Sequence, residues 1–214
     1  KTLDVILIGG GDRGINYTTI MSKMPEKFRV IAIAEPIDDR RNHVRDMHNI
    51  PEDMCFTDWK PLLEKGKIAD MALICTMDRD HFAPAMKAIE LGYDLMLEKP
   101  MAPTQEECKQ IAYSAHEKGV RVVICTVLRY TAIFNIIKNL IDSGKLGKIM
   151  SINHEECVGI IHQSHSFVRG NWGNEGRSSN MLLQKSCHDI DILQWLLGKK
   201  CKKVQSFGTL SYFR

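Results

Sequence analysis

The 214-residue sequence predicts an α/β fold: a doubly wound parallel sheet followed by part of a second, open-sheet α/β domain. Three observations point there. Short apolar runs recur about every 25 to 30 residues, each followed by a helix-compatible stretch, the rhythm of βαβ units. The runs are almost continuous rather than alternating, which suits strands buried on both faces. The first run stops at a glycine cluster, Gly9-Gly10-Gly11.

Residues 3–8 are the first expected strand and 13–24 the first helix. A second apolar run, 28–34, is stopped by Glu35-Pro36, and the polar stretch 38–48 is compatible with a helix. Asp58 is placed to cap a short helix through Glu64. Residues 71–75 form the next buried run; 83–91 read as a helix closed by Gly92. A strand at 93–97 leads into Glu98-Lys99-Pro100. Thr104 and Glu107 make a capping box for a helix through Lys118, ended by Gly119, and 121–127 is the last strand of the series.

The rhythm changes after Arg129-Tyr130, so the expected domains are 1–127 and 128–214. The second would hold a helix at 132–143, a turn at 144–147 and a β-rich run at 148–161. A long Gly, Asn and Ser-rich loop at 166–180, a helix at 186–197 and a strand at 204–213 would follow. On α-helical spacing Ile190, Leu193 and Leu197 would form the packing face of that last helix. Such a sheet is short of partners, and an incomplete second domain is expected. The chain opens on Lys1 rather than Met, as a processed or trimmed chain would.

Composition excludes several classes. Hydrophobic residues make up 44% and charged residues 26%, ordinary for a globular chain. Lys+Arg 29 against Asp+Glu 26 leaves a net charge of +3, too little to indicate nucleic acid or an anionic membrane as partner. No apolar run reaches the ~18 residues of a membrane span. The seven cysteines are scattered and form no C-x-x-C pair. They are expected to be reduced, in a cytoplasmic protein.

Three clusters carry candidate chemistry. Gly9, Gly11 and Gly14 fit G-x-G-x-x-G between the first strand and the first helix, with Asp12 and Arg13 inside the motif. Such a loop lets backbone N–H groups and the helix N-terminus face a pyrophosphate. Glu35 ends the second strand, where a carboxylate can accept both ribose hydroxyls of an adenosine; the alternative is a glycine turn plus a surface acid. That carboxylate would repel a 2′-phosphate and favour NAD over NADP, although Arg40 and Arg41 could offset it. Glu98-Lys99-Pro100 lies at the carboxyl end of a strand, where open α/β sheets bind ligands; a solvated strand-end lysine is the plainer alternative. Finally, His188 and Asp191 are i,i+3 neighbours on the last helix, and Gln184 joins them if the helix starts early. A His–Asp pair can orient an imidazole for proton transfer, or simply sit at a helix start.

These clusters, in this order and with Arg129-Tyr130 between the second and third, resemble the Gfo/Idh/MocA family of nicotinamide-dependent oxidoreductases over essentially the whole chain. The resemblance implies a Rossmann domain, NAD as cofactor and a sugar, sugar derivative or cyclitol as substrate. It also implies a substrate domain that often makes a homo-oligomer contact. Lys99 and His188 become the catalytic candidates; Thr76, His81, Glu98 and Arg129 would line the cofactor or active-site cleft. Lys99 and His188 are expected to converge on one substrate hydroxyl. Imidazole titrates near ~6.5 and a lysine near ~10.4, so His188 would move the proton and Lys99 would orient the hydroxyl. The sequence departs from the family at Gln184, where sugar dehydrogenases carry an acid, with Lys185 beside it, and at Met77, where proline is common. Two other outcomes follow from the same resemblance. One is NAD-assisted glycoside hydrolysis; the other is a non-catalytic dinucleotide-binding protein.

Weaker signals remain. Arg169 and Trp172 in the long loop could bracket a sugar, or Trp172 could be packing. His162 and His165, near His154 and Cys157, do not complete a zinc ligand set, so no metal is expected. Lys199, Lys200, Lys202 and Lys203 follow a helix C-terminus, where cations suit the helix dipole.

Overall fold

The apolar runs become six strands: β1 (Leu3–Ile8), β2 (Phe28–Ala34), β3 (Cys55–Phe56), β4 (Met71–Ile74), β5 (Asp94–Leu97) and β6 (Val122–Ile124). All pair in parallel, in the order β3-β2-β1-β4-β5-β6. This computed structural model describes residues 1–174, 176–209 and 212, in two units, Lys1–Cys125 and Thr126–Arg214.

In the first unit, helices α1 (Asp12–Ser22), α2 (Asp38–His48), α3 (Trp59–Glu64), α4 (Phe82–Glu90) and α5 (Gln105–Lys118) cross between strands. The continuous strand runs now have their reason. Ile6, Ile8, Ala72, Ile74, Leu95 and Leu97 face one core with Leu62, Ile89 and Ile111, while Val5, Leu7, Ile33 and Leu73 face a second with Met21 and Val44. Successive strand residues point to opposite faces, and here both faces are covered. The helix boundaries follow local chemistry. Asp58 accepts the Lys60 N–H at 2.8 Å, Thr104 and Glu107 form the capping box, and Gly119 takes the left-handed conformation that ends α5.

Strand β3 was not expected, because two residues are too short to show a pattern. The last strand ends at Ile124 rather than at 127, and a 3₁₀ turn (Val127–Tyr130) follows.

The second unit holds α6 (Ala132–Asp142), the helical turn α7 (Ile160–His162), a π-type turn (Gln163–Val168), α8 (Met181–Gln184) and α9 (Cys187–Leu197). Two expectations fail. Among the described residues the stretch 148–161 forms no strand and ends in a helical turn, and 204–209 carries no regular structure. Residues 210, 211 and 213 of the expected last strand lie outside the described residues. The physical reason is pairing: an extended segment leaves its N–H and C=O groups unsatisfied without a neighbouring strand. The π-type turn also takes up the start of the expected loop at 166–180.

The phase of α9 also differs from expectation. Its buried positions are Asp189, Ile192 and Leu196, and Ile190 is 49% exposed. Apolar residues occur almost all round this helix, so spacing alone leaves the face ambiguous; the buried face is one residue out of phase with the expected one. Among the described residues no helix is long and apolar enough to cross a membrane. All seven cysteines are free thiols.

Candidate active site

In the first unit the candidate residues gather at the carboxyl ends of β1, β2, β4 and β5, where the strand order reverses. Gly9 has φ +95°, and a Cβ there would lie 2.6 Å from the Cys75 carbonyl carbon. A Cβ on Gly14 would lie 2.2 Å from the Gly9 carbonyl oxygen. Both positions therefore demand glycine for the protein's own packing. Gly11 differs: an added Cβ would meet only Arg40 Nη1, at 3.9 Å. Neither packing nor a left-handed backbone requires glycine there, so the loop leaves open space at the start of α1. Asp12 and Arg13 are exposed in the first turn of that helix.

Glu35 is 4% exposed, and its carboxylate turns onto the glycine loop. Oε2 accepts the Gly10 N–H at 2.6 Å and Oε1 the Ile37 N–H at 3.0 Å. Arg41 donates to the Glu35 carbonyl at 2.7 Å and pairs with Asp38. Glu35 thus ties β2 to the loop, and each carboxylate oxygen keeps a second lone pair for a further donor.

Thr76 follows β4 and donates its hydroxyl to the Asp80 carbonyl at 3.0 Å. His81 is 1% exposed, with Nδ1 2.8 Å from the Pro100 carbonyl and Nε2 3.1 Å from the Thr76 carbonyl. It is buried rather than open at the strand ends. Burial lowers its pKa below the usual imidazole value, against the pull of these carbonyls.

Glu98, 5% exposed, accepts the Tyr17 hydroxyl on Oε1 at 2.7 Å and the Lys99 backbone N–H on Oε2 at 2.9 Å. The Lys99–Pro100 peptide is cis. Sequence reasoning missed Tyr17. Its one available signal was position: it lies one turn past Gly14 on the helix that the glycine motif opens.

The second unit gathers a different set. Arg129 holds Asp191 with two bonds, Nε to Oδ2 at 2.7 Å and Nη2 to Oδ1 at 2.5 Å. That contact raises the Arg129 pKa. Asp191 therefore serves Arg129, whereas it was expected to balance His188. Asp189 of the same helix pairs through Oδ1 with His154 Nε2, at 2.8 Å, a contact the sequence did not reveal. Gln184 is buried at the end of α8, not on α9, because a turn at Lys185-Ser186 interrupts the helix. Lys185 pairs with Glu156 at 2.9 Å. His188 is half-buried in the first turn of α9.

Trp172 stacks at a tilt on Phe167, ring centroids 6.4 Å apart, and Phe167 meets His162 edge-on at 5.5 Å. Trp172 is therefore partly spent on packing, while Arg169 is exposed. Among the described residues no group of three or more His, Cys, Asp or Glu side chains stands where it could hold a metal ion.

Comparison with known proteins places this geometry in a family. The oxidoreductase family with an NAD-binding Rossmann fold matches residues 3–126, and that family's C-terminal alpha/beta domain matches residues 138–211. The chain belongs to the Gfo/Idh/MocA oxidoreductase family. It is similar to the inositol 2-dehydrogenase of Salmonella paratyphi B, 24% identical over 96% of this chain and 58% of that protein. It is also similar to a 2,7-anhydro-N-acetylneuraminate hydratase of Mediterraneibacter gnavus, 25% identical over 97% of this chain and 53% of that one. The chain thus spans little more than half the length of these two relatives. A crystal structure of Lactobacillus casei scyllo-inositol dehydrogenase with NAD(H) and scyllo-inositol has the same fold. Its TM-score is 0.79 at 20% identity, covering 94% of this chain and 57% of that one.

Proposed function

We propose that this chain is the dinucleotide-binding and catalytic part of an oxidoreductase that uses NAD to oxidise a secondary alcohol of a sugar, sugar derivative or cyclitol. One observation carries this: Gly11 leaves space at the N-terminus of α1 that the protein's own packing does not need, beside the buried carboxylate of Glu35. First-turn amides facing open space suit a pyrophosphate, and Glu35 keeps lone pairs for a ribose diol. NAD would supply the hydride acceptor. Asp12, Arg13 and Thr76 border the same edge of the sheet; the buried His81 holds Thr76 and Pro100.

We assign Lys99 to orienting the substrate hydroxyl and His188 to accepting its proton. A group titrating near neutrality is the better general base. Arg129 and Asp191 brace each other; Gln184 and Lys185 are assigned to positioning the substrate, with Arg169 and Trp172 at its outer side. The cytoplasm, the expected compartment, has the reducing conditions that suit seven free cysteines. A homo-oligomer through residues 128–214 remains part of the proposal. Calorimetry with NADH and NADPH tests the cofactor: tighter NADH binding is expected, and tighter NADPH binding would refute the assignment to Glu35. A screen of NAD reduction over sugars and polyols then tests the substrate class.

The similarity to a hydratase and the buried amide of Gln184 favour one second reading, in which the sugar is oxidised only transiently. Net NADH formation separates the two: it accumulates in the first and not in the second.

A further inference from the structure

The corner at Glu98-Lys99-Pro100 is held by a helix that its own motif does not include. The Glu98 backbone is set by the sheet, since its N–H bonds to the Ile74 carbonyl at 2.9 Å. Its side chain is set elsewhere. A carboxylate this buried is costly unless donors meet it. Two do, one on each oxygen: the Tyr17 hydroxyl at 2.7 Å and the Lys99 N–H at 2.9 Å. Tyr17 is in turn fixed on α1, and the buried Cys125 thiol lies against its hydroxyl. Burial and the Glu98 carboxylate push the Tyr17 phenol above its ordinary value, so it stays a donor. On the far side of Lys99, His81 meets the Pro100 carbonyl at 2.8 Å.

We propose that Tyr17 is a positioning residue for Lys99: its hydroxyl holds the Glu98 carboxylate in one orientation, and Glu98 in turn fixes the Lys99 amide where the lysine leaves β5. This rests on the assignment of Lys99 to the substrate hydroxyl. Without Tyr17 the carboxylate would lose one of the two donors that fix its plane. The Lys99 amide would then lose a steady acceptor, and the side chain its defined starting direction.

Amide hydrogen exchange of the whole chain, followed by NMR, tests this without any substrate. In Tyr17→Phe the Lys99 amide should exchange about tenfold faster, the scale of a weakened charge-assisted bond. The Glu98 amide, held by Ile74, should stay within about twofold of the unmutated rate. Glu98→Ala, with Tyr17 intact, should speed Lys99 exchange at least as much, and adding Tyr17→Phe to it should change nothing further. Unaltered exchange at Lys99 in either variant would overturn the proposal, as would an equal rise at every strand amide or an additive double variant. With any polyol the enzyme accepts, Tyr17→Phe should lower kcat about tenfold and leave NADH affinity within about twofold. If the unmutated protein binds no NADH, the proposed function fails by itself, while the exchange result still decides the role of Tyr17.

Discussion

The two units bury their side chains in opposite ways. In residues 1–125 the strands and helices close two cores on either face of one sheet, and fully buried aliphatic side chains line both. Beyond residue 125, Ile192 and Leu196 are the only buried hydrophobic side chains among the described residues. There Ile133, Ile136 and Leu140 stand open along α6, at 60%, 56% and 41% exposure, and Ile160 and Ile161 are also exposed. Ion pairs make up much of what ties the second unit together: Arg129 with Asp191, His154 with Asp189, Lys185 with Glu156. Apolar burial is the main stabilising term in folding, and part-exposed ion pairs contribute little. The first unit is thus expected to hold its candidate site rigidly, and the second to open more easily.

Core truncation would break that comparison most sharply. Leu73→Ala, in the sheet interior, should cost about 3 kcal/mol in denaturant melts, whereas Ile136→Ala should stay within about 0.5 kcal/mol. Equal effects would mean that α6 is covered in solution. Lys99→Ala and His188→Ala come next. Each should lower turnover at least ~100-fold, about 2.7 kcal/mol of transition-state stabilisation, with NAD affinity nearly unchanged. Gln184→Ala should do much less; if it abolished turnover while His188→Ala did not, the proton assignment would be wrong.

The polar ties should show smaller effects. A double-mutant cycle of Arg129→Ala and Asp191→Asn should give a coupling of about 1 kcal/mol, because the Arg129 side chain is 38% exposed. The smallest expected effect is the pH dependence of the first unit. Burial lowers the pKa of His81 and of His48 in the folded chain. Below the ordinary imidazole value of ~6.5 the unfolded chain therefore binds more protons than the folded one. Stability should be fully present above that pH and fall as pH drops below it. His81→Gln should flatten this slope in melts at pH ~5.5 and ~7.5. A stability that rose on acidification would contradict the buried, neutral histidines.

Most of the sheet was legible because its signals are local. An apolar run stopped by Gly9, by Glu35-Pro36 or by Glu98-Lys99-Pro100 reports its own ends. So do caps such as Thr104 with Glu107, three residues apart. The same local logic misled in the second unit. Residues 148–161 and 204–209 have strand-like composition, but a strand exists only if another lies beside it. On α9 the apolar residues nearly encircle the helix, and the inward face carries Asp189, whose partner His154 lies 35 residues away.

The sequence by itself determined the strand rhythm, the glycine loop, the helix caps and which residues stand at strand ends, because each depends on neighbours along the chain. Only the tertiary structure decided the partners: Tyr17 for Glu98 across 81 residues, Arg129 for Asp191 across 62, and Glu35 folded back onto Gly10. Such contacts join groups that no periodicity relates. They form because a buried or half-buried charge must find a donor, and which donor lies within 3 Å is set by how the elements pack.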